Sequence, residues 1–458
     1  MRKSRLLLTI LGGGLCVSLV GCTLYHTAPL ATAPQFANTE IDRPTLGDFP
    51  QLKAHPFNAA DGLDVVEVEM LAVSHNPALV SARHDLGLSQ AQAFSAGLLP
   101  DPQLQLARDI THSMGVGAAT SYGFSYDFGA LIAHHSALKS ANATTHQAEL
   151  DLLWQEWQVI GQAQLLMVRA QMQSQILKTL TRQKKFATDR ATRSHRAMQD
   201  GNLSRDIANT DAVALQAVNS KIDDLKTQQQ TTLHDLNDLL GLAPDTLLNL
   251  QFERSYEQHP PQATDRTLIQ QALSQLPERR PDLQALQAGY ASQDAKLYQA
   301  ILAQFPSLNV GLTRNKDNAG VISDSLGISL TLPLFNRNRG NVAVEQATRA
   351  KLQHEYLSRL TQTTASVLRL QAEQAAQVAV WQQRKVTLAQ LRLDVSQAQQ
   401  AYQQGLLDDL IWVNLNTNLV SQELDLLTLE QSIREQRVGL NTLLGLPAEQ
   451  SSAMDIQP

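Results

Sequence analysis

Apolar and polar positions follow two different periods along this chain, and the switch between them recurs. Ile328, Leu330 and Leu332 alternate with Ser329 and Thr331, the period of a strand with one apolar and one polar face. Pro333 ends the ladder because it has no backbone donor to give. Beyond Gly340 no proline follows until Pro447, and Ala, Gln, Leu and Glu dominate. The pattern therefore predicts a very long helix behind a short strand.

The same passage occurs earlier in the chain at a fixed separation. Pro77 and Pro281, Pro102 and Pro306, Gly123 and Gly327, Ser125 and Ser329, and Gly201 and Gly405 each stand 204 positions apart. Leu236-Asn237 and Leu239-Leu240-Gly241-Leu242 return at that shift as Leu440-Asn441 and Leu443-Leu444-Gly445-Leu446. Helix breakers, a strand and a helix terminus in one register mark an internal duplication of about 200 residues, far longer than a solenoid repeat.

Each copy predicts the same order of elements. A helix near 78–98 or 282–303 carries Leu79, Ala82 and Leu86, or Leu283, Leu286 and Tyr290, on one face. Pro102 and Pro306 close it and open a strand, near 103–109 and 307–314. Polar, Gly-containing loops lead into return strands. In the first, Tyr122, Phe124, Tyr126 and Phe128 oppose Gly123, Ser125 and Asp127; in the second, Leu326, Ile328, Leu330 and Leu332 oppose Ser329 and Thr331.

Long helices follow, near 130–200 and 341–404. Leu150, Leu153, Trp157, Ile160, Gln164 and Met167 give the first a coiled-coil-like seam, with the many Gln and Thr implying narrow contacts and much wet surface. Each helix breaks at a glycine, Gly201 or Gly405, and Ser204 or Asp408 is placed to cap a returning helix. The returning helices end near Leu240 and Leu444, the second with Val413, Val420, Leu424 and Leu427 as its seam.

Charge and cysteine usage narrow the picture. The 458 residues carry a formal net charge of −6, which offers no basic footprint for nucleic acid. Arg2, Lys3 and Arg5 precede an apolar run from Leu6 to Val20, the make-up of an export signal rather than a membrane span. Leu19-Val20-Gly21-Cys22 resembles the bacterial lipobox, which implies cleavage before Cys22 and a covalent lipid on its sulfur. No cysteine follows Cys22, so the processed chain has no disulfide. The expected organisation is a signal at 1–21, a lipidated proline-rich arm at 22–60, repeats at 61–250 and 281–447 joined by a connector with short helices at 251–280, and a tail at 448–458.

The amphipathic hairpins admit two readings, a soluble sheet packed on helices or part of a membrane barrel with apolar residues toward lipid. In the second, four strands leave open edges that hydrocarbon does not tolerate, so one chain cannot close the barrel alone. No later stretch has 18 consecutive apolar residues, which leaves no helical span. There is no His-x-x-x-His or Cys/His cluster, and His134 and His135 point to different helix faces. Neither a phosphate-cradling Gly-x-x-x-x-Gly-Lys loop nor a nucleophile elbow is present. The residues point to no enzyme, no cofactor and no dedicated metal site.

Together the duplicated pattern, Arg279-Arg280-Pro281-Asp282-Leu283 at the start of the second copy, Pro333-Leu334-Phe335 before the long helix and Leu-Leu-Gly at the end of each copy resemble the outer membrane efflux protein (TolC-like) family. The resemblance implies a mainly α fold with a small β part: duplicated long-helix hairpins forming an α-barrel, and four strands per chain contributing to an oligomeric transmembrane β-barrel. It implies a homotrimer in the outer membrane, reaching into the periplasm and working with a periplasmic adaptor and an inner-membrane RND-type pump. On that reading Tyr122, Phe124, Tyr126, Phe128, Ile328, Leu330 and Leu332 face lipid, while Ser125, Asp127, Ser329 and Thr331 face the lumen. Gly201, Asn202, Leu203, Ser204, Gly405, Leu406, Leu407 and Asp408 are the docking and aperture residues.

Some family members narrow the aperture with aspartates six and nine residues after the tip glycine. Here Ile207, Thr210, Ile411 and Asn414 hold those positions, so that gate does not transfer; Asp206, Asp211, Asp408 and Asp409 lie nearby. Phe335-Asn336-Arg337-Asn338-Arg339-Gly340 resembles the subfamily that exports heavy-metal cations such as cobalt, zinc and cadmium. A multidrug duct of the same family, and a lipid-tethered periplasmic scaffold or adhesin, are the alternatives.

Overall fold

The computed structural model describes residues 25–40, 46, 49–110, 112, 117–252 and 260–446. The signal, Cys22 and the tail beyond 446 lie outside the described residues. Residues 25–36 belong to a unit of their own, an exposed chain without helix or strand.

Within the body from Ala37 onward the elements run α1 (Pro50–Ala54), α2 (Val65–His75), α3 (Pro77–Gly97), β1 (Gln103–Asp109), β2 (Ala119–Asp127), α4 (Phe128–Gln199) and α5 (Arg205–Leu239). After the connector come α6 (Arg266–Ser274), α7 (Leu276–Arg279), α8 (Pro281–Leu302), β3 (Ser307–Lys316), β4 (Ile322–Thr331), α9 (Arg339–Gln403) and α10 (Asp409–Leu444). The long helices α4 and α9 have 72 and 65 residues, roughly 100 Å each at 1.5 Å per residue.

The duplication is visible in the packing. One core holds Val68, Ala72, Leu79, Ala163, Leu236, Leu240 and Leu242. A second holds Ala272, Leu276, Leu283, Val367, Leu440, Leu444 and Leu446, the same positions shifted by 204. Where one copy has Ala72 and Ala163 the other has Leu276 and Val367, and where one has Val68 the other has Ala272, so volume is redistributed while the interior stays close-packed. The short helices α6 and α7 thus take in the second copy the place that α2 takes in the first.

Leu-Leu-Gly-Leu has the same structural task in both copies. Gly241 and Gly445 adopt left-handed φ values of +64° and +65°. The Leu242 amide donates to the Asn237 carbonyl, and the Leu446 amide to that of Asn441, satisfying carbonyls that a helix end leaves orphaned. Asn76 Nδ2 donates to the Leu239 carbonyl at 2.9 Å. At the equivalent place Arg280 Nη1 donates to the Leu443 carbonyl at 2.8 Å. Different side chains at one repeat position therefore lock the same helix end.

The copies differ in how far their long helices are buried. The middle of α4 is surrounded by α2, α3, α5, α8 and α10, and Val159, Ile160, Ala163, Leu166, Met167, Val168 and Met172 are all buried. The expected narrow seam is corrected here: nearly the whole circumference of this stretch is covered. On α8 the expected Tyr290 is exposed, and the buried face uses Ala285, Ala288 and Ser292 instead. Small residues let α8 approach α4 closely, with Leu150 against Ala285 and Ala288 and Ser292 Oγ within 2.9 Å of Ser140 Oγ. The corresponding α9 has few buried positions, and Leu357, Leu368, Val386 and Leu393 remain exposed on it.

A buried ion pair orders the start of the second copy. Arg280 makes a two-pronged contact with Asp282 at 2.7 and 2.9 Å and lies over the Trp154 ring. Burial pushes the nearby Asp151 carboxyl above its usual range; the Gln147 hydrogen bond opposes this, Asp282 adds to it and Arg359 opposes it.

Two predictions follow from these contacts. A Cβ at Gly241 would sit 2.6 Å from the His75 carbonyl oxygen, whereas one at Gly445 would meet the Arg279 oxygen at 3.3 Å. Gly241→Ala is expected to destabilise by more than about 2 kcal/mol in urea titration, and Gly445→Ala by less. Because the folded state holds the Asp151 proton more tightly than the unfolded chain, the ionised form opposes folding above the raised pKa, and this opposition fades as pH falls through it. Asp151→Asn should accordingly stabilise at neutral pH and lose the advantage in acid, read from melting curves at the two pH values.

Candidate functional site

The four strands form one antiparallel sheet in the order β1-β2-β3-β4. The predicted hairpins are present, and β2 pairs with β3 to join them across the duplication, with Phe124 opposite Leu312 and Tyr126 opposite Val310. Cross-strand rows such as Leu104-Phe124-Leu312-Leu326 follow directly from this register. One face carries Leu104, Leu106, Tyr122, Phe124, Tyr126, Leu308, Val310, Leu312, Leu326, Ile328 and Leu330. The other carries Gln103, Gln105, Ser121, Ser125, Asn309, Thr313, Asn315, Ser325, Ser329 and Thr331. Strict alternation sorts the residues in this way because the side-chain period of a strand is two.

Among the described residues no helix covers the apolar face. Phe124 is 51% exposed and Leu330 54%, and every residue of β4 is exposed. A soluble sheet leaving this much contiguous apolar surface in water would be under strong pressure to bury it. Strands β3 and β4 have 10 residues each, about 33 Å of extended chain, enough for a tilted crossing of an apolar layer roughly 25 Å thick. Among the described residues no helix is long and apolar enough to cross a membrane.

Two residues expected on the strand faces lie just beyond them. Phe128 opens α4 and Leu332 follows β4, because the strands end at Asp127 and Thr331; both are exposed. Asp127 ends its strand with its carboxylate accepting from the Gly129 and Ala130 amides at 2.8 and 3.1 Å. That N-cap starts α4. At the other strand-to-helix junction, Arg337 and Asn338 have φ of 48° and 50°, and the Arg339 amide returns to the Asn336 carbonyl at 3.1 Å, the two-residue turn with left-handed central positions. Asn338 Nδ2 ties it to the Ala300 carbonyl at 2.8 Å.

The opposite ends of the long helices form two tips. Gly201 and Gly405 have φ of +78° and +71°. The Asn202 and Leu406 amides reach back to the Ala197 and Ala401 carbonyls, ending both helices alike. Leu406 is 76% exposed, whereas Leu203 and Leu407 are half-buried; Ile207, Leu410 and Ile411 are also exposed. Asp408 caps α10 through the Leu410 amide at 2.7 Å. The expected cap by Ser204 is absent, since its side chain makes no cap bond to α5. Asp211 is buried and held by Arg190 Nε at 2.6 Å and by Ser194, so it is not a free charge near the tips.

Above the tips the two hairpins are cross-linked. Glu423 of α10, almost buried, accepts from Arg182 of α4 at 2.5 Å and from Arg392 of α9 at 2.8 Å. Trp412 of α10 also joins the two hairpins, meeting Phe186 of α4 edge-on and Tyr402 of α9 face to face, with ring centres 6.1 Å apart in each contact. No local pattern signals the Arg182–Glu423 arm of this link, whose partners stand 241 positions apart. His134 Nε2 lies 3.0 Å from the Gly97 carbonyl, a packing task, and His, Cys, Asp and Glu form no metal-holding group of three or more among the described residues.

The cap asymmetry makes a direct prediction. Asp408→Ala should lower stability by about 1 kcal/mol, and Ser204→Ala by almost nothing, in paired urea titrations.

With this geometry established, comparisons identify its relatives. Residues 269–446 match the model of a family described as outer membrane efflux protein. No curated protein matches the chain in sequence. Among solved structures, CusC, described in terms of transmembrane channel formation, superposes with a TM-score of 0.70 at 15% identity, covering 93% of this chain and 99% of that one. The open-state MtrE outer membrane channel of Neisseria gonorrhoeae gives 0.69 at 15% identity, covering 93% and 97%. The outer membrane protein VceC of Vibrio cholerae gives 0.68 at 16%, covering 83% and 96%. The fold is that of these channels.

Proposed function

We propose that this chain is the outer-membrane duct of a tripartite efflux system, a passive, cofactor-free conduit that assembles as a homotrimer, docks a periplasmic adaptor and serves an inner-membrane RND-type pump. The observation that carries this reading is the four-stranded sheet with one mainly polar face, one mainly apolar face that is uncovered among the described residues, and two unpaired edges. In hydrocarbon such edges must be satisfied, and a further copy of the chain satisfies them by pairing β4 with the next β1, as β2 pairs with β3 within the chain.

The helices support the same arrangement. Within the chain α4 is covered by α8 and α10, while no comparable packing joins α9 to α3 or α5. Exposed Leu357 and Val380 on α9 are the 204-shifted equivalents of Leu153 and Ile176, which pack against the cores of the first copy. A neighbouring copy would cover α9 as the second repeat covers α4. The polar sheet face, with Ser125, Ser329 and Thr331, then lines the lumen, and Tyr122, Phe124, Tyr126, Ile328 and Leu330 meet lipid, with Phe128 and Leu332 at the inner border.

The tips at Gly201–Ser204 and Gly405–Asp408 are the adaptor contact in this reading, with exposed Leu406 as its apolar anchor. Lipidation of Cys22 would add a tether to the same membrane. Heavy-metal cations are the proposed cargo class, on the resemblance of Phe335–Gly340; a gene deletion that lowers tolerance to drugs and leaves zinc, cobalt and cadmium tolerance intact would overturn that assignment alone.

Detergent extraction followed by native mass measurement should give three chains per particle; a stable water-soluble monomer would refute the duct. Phe124→Arg and Leu330→Arg should each cost roughly 2–4 kcal/mol of stability in membranes, and Ser329→Arg on the polar face far less.

A further inference from the structure

The outward face of the sheet changes character at its loop end. Successive rows across the strands are Leu104-Phe124-Leu312-Leu326, then Leu106-Tyr122-Arg314-Asp324, then Arg108-Thr120-Lys316-Ile322. Rows on one face are about 7 Å apart along the strands, so the surface passes from wholly apolar to cationic within two rows. In the middle row Arg314 is neutralised by Asp324, with hydrogen bonds of 2.7 and 2.8 Å.

The last row holds two further cations. Arg108 and Lys316 are exposed, neither has an ion pair among the described residues, and they stand on β1 and β3 with Thr120 between them. Two strand spacings separate them by about 10 Å, a gap that two long side chains can close onto one group. The acids nearby are turned to other tasks: Asp109 lies on the polar face, and Asp317 accepts from the Ala319 and Val321 amides within the β3–β4 turn.

The geometry points to a binding site for a phosphate-bearing lipid headgroup at this rim, with Arg108 and Lys316 clamping the phosphate, Thr120 Oγ1 between them and Tyr122 marking the apolar border. The site rests on the membrane reading proposed above. What selects a lipid rather than a free anion is continuity: on the β1–β2 side Leu106 and Tyr122 carry the apolar surface from Leu104 and Phe124 up to the cations, two rows or about 14 Å, so one molecule can place acyl chains along these side chains and its phosphate between the cations. Each cation near an anionic surface strengthens such binding several-fold.

The test reconstitutes the full chain into phosphatidylcholine vesicles with and without a minor fraction of diphosphorylated lipid A. After flotation and detergent extraction, lipid A retained per protein is counted by mass spectrometry. The Arg108→Gln, Lys316→Gln double variant should float equally well yet retain about tenfold less lipid A, and an Arg108→Lys, Lys316→Arg exchange should restore retention. Lipid A without phosphates should not be retained by either form. Equal retention by wild type and double variant, or displacement of lipid A by inorganic phosphate, overturns the lipid site while leaving the duct reading intact. Failure of the wild type to float with either vesicle overturns both.

Discussion

An uncovered apolar sheet face bounded by two unpaired backbone edges is the constraint on which the rest of this structure depends. Either property alone is manageable in water, since edges can be solvated and apolar faces can be packed under helices. Together they cannot be satisfied by the chain's own elements, because the helices leave the sheet at its ends and pack against each other. Hydrocarbon on one face and a second copy at each edge remove both difficulties at once.

The duplication makes that solution self-consistent. Contacts between the two repeats inside one chain, β2 with β3 and α4 with α8 and α10, form a head-to-tail interface between similar units. On the proposed assembly the same interface, repeated between chains, would join β4 to β1 and α9 to α3 and α5, and a heterologous contact of this kind closes into a ring when its rotation divides a full turn. The near-equivalence extends to single residues: Asn76 and Arg280 hold matching helix ends, and the two cores use positions 204 apart. The buried Glu423 with its two arginines fixes one hairpin against the other.

Much of this was legible in the sequence because it rests on local rules. Period-two alternation around Phe124 and Ile328 fixed the sheet faces, and the prolines and glycines in one register fixed the helix ends to within one or two residues. Phe128 and Leu332 continued the alternation on paper, yet the ladder stops one residue earlier because Asp127 turns to cap a helix and Pro333 cannot pair. What stayed hidden was long-range. Nothing local shows that β2 meets β3, that Arg182 reaches Glu423, or that α4 is wrapped on nearly all sides while its twin α9 buries only the stripe that faces α8 and α10. Ser204 satisfied the sequence rule for a cap and does not form one, since propensity at a helix start does not fix the side-chain rotamer.

The central claim is that the strand edges are paired in the assembled protein, and amide hydrogen exchange in lipid reads this directly. Closure predicts that the outward-facing amides of β1 and β4 exchange as slowly as those of β2 and β3. Fast exchange along Gln103–Asp109 and Ile322–Thr331 beside protected inner strands would show an open sheet and contradict the account.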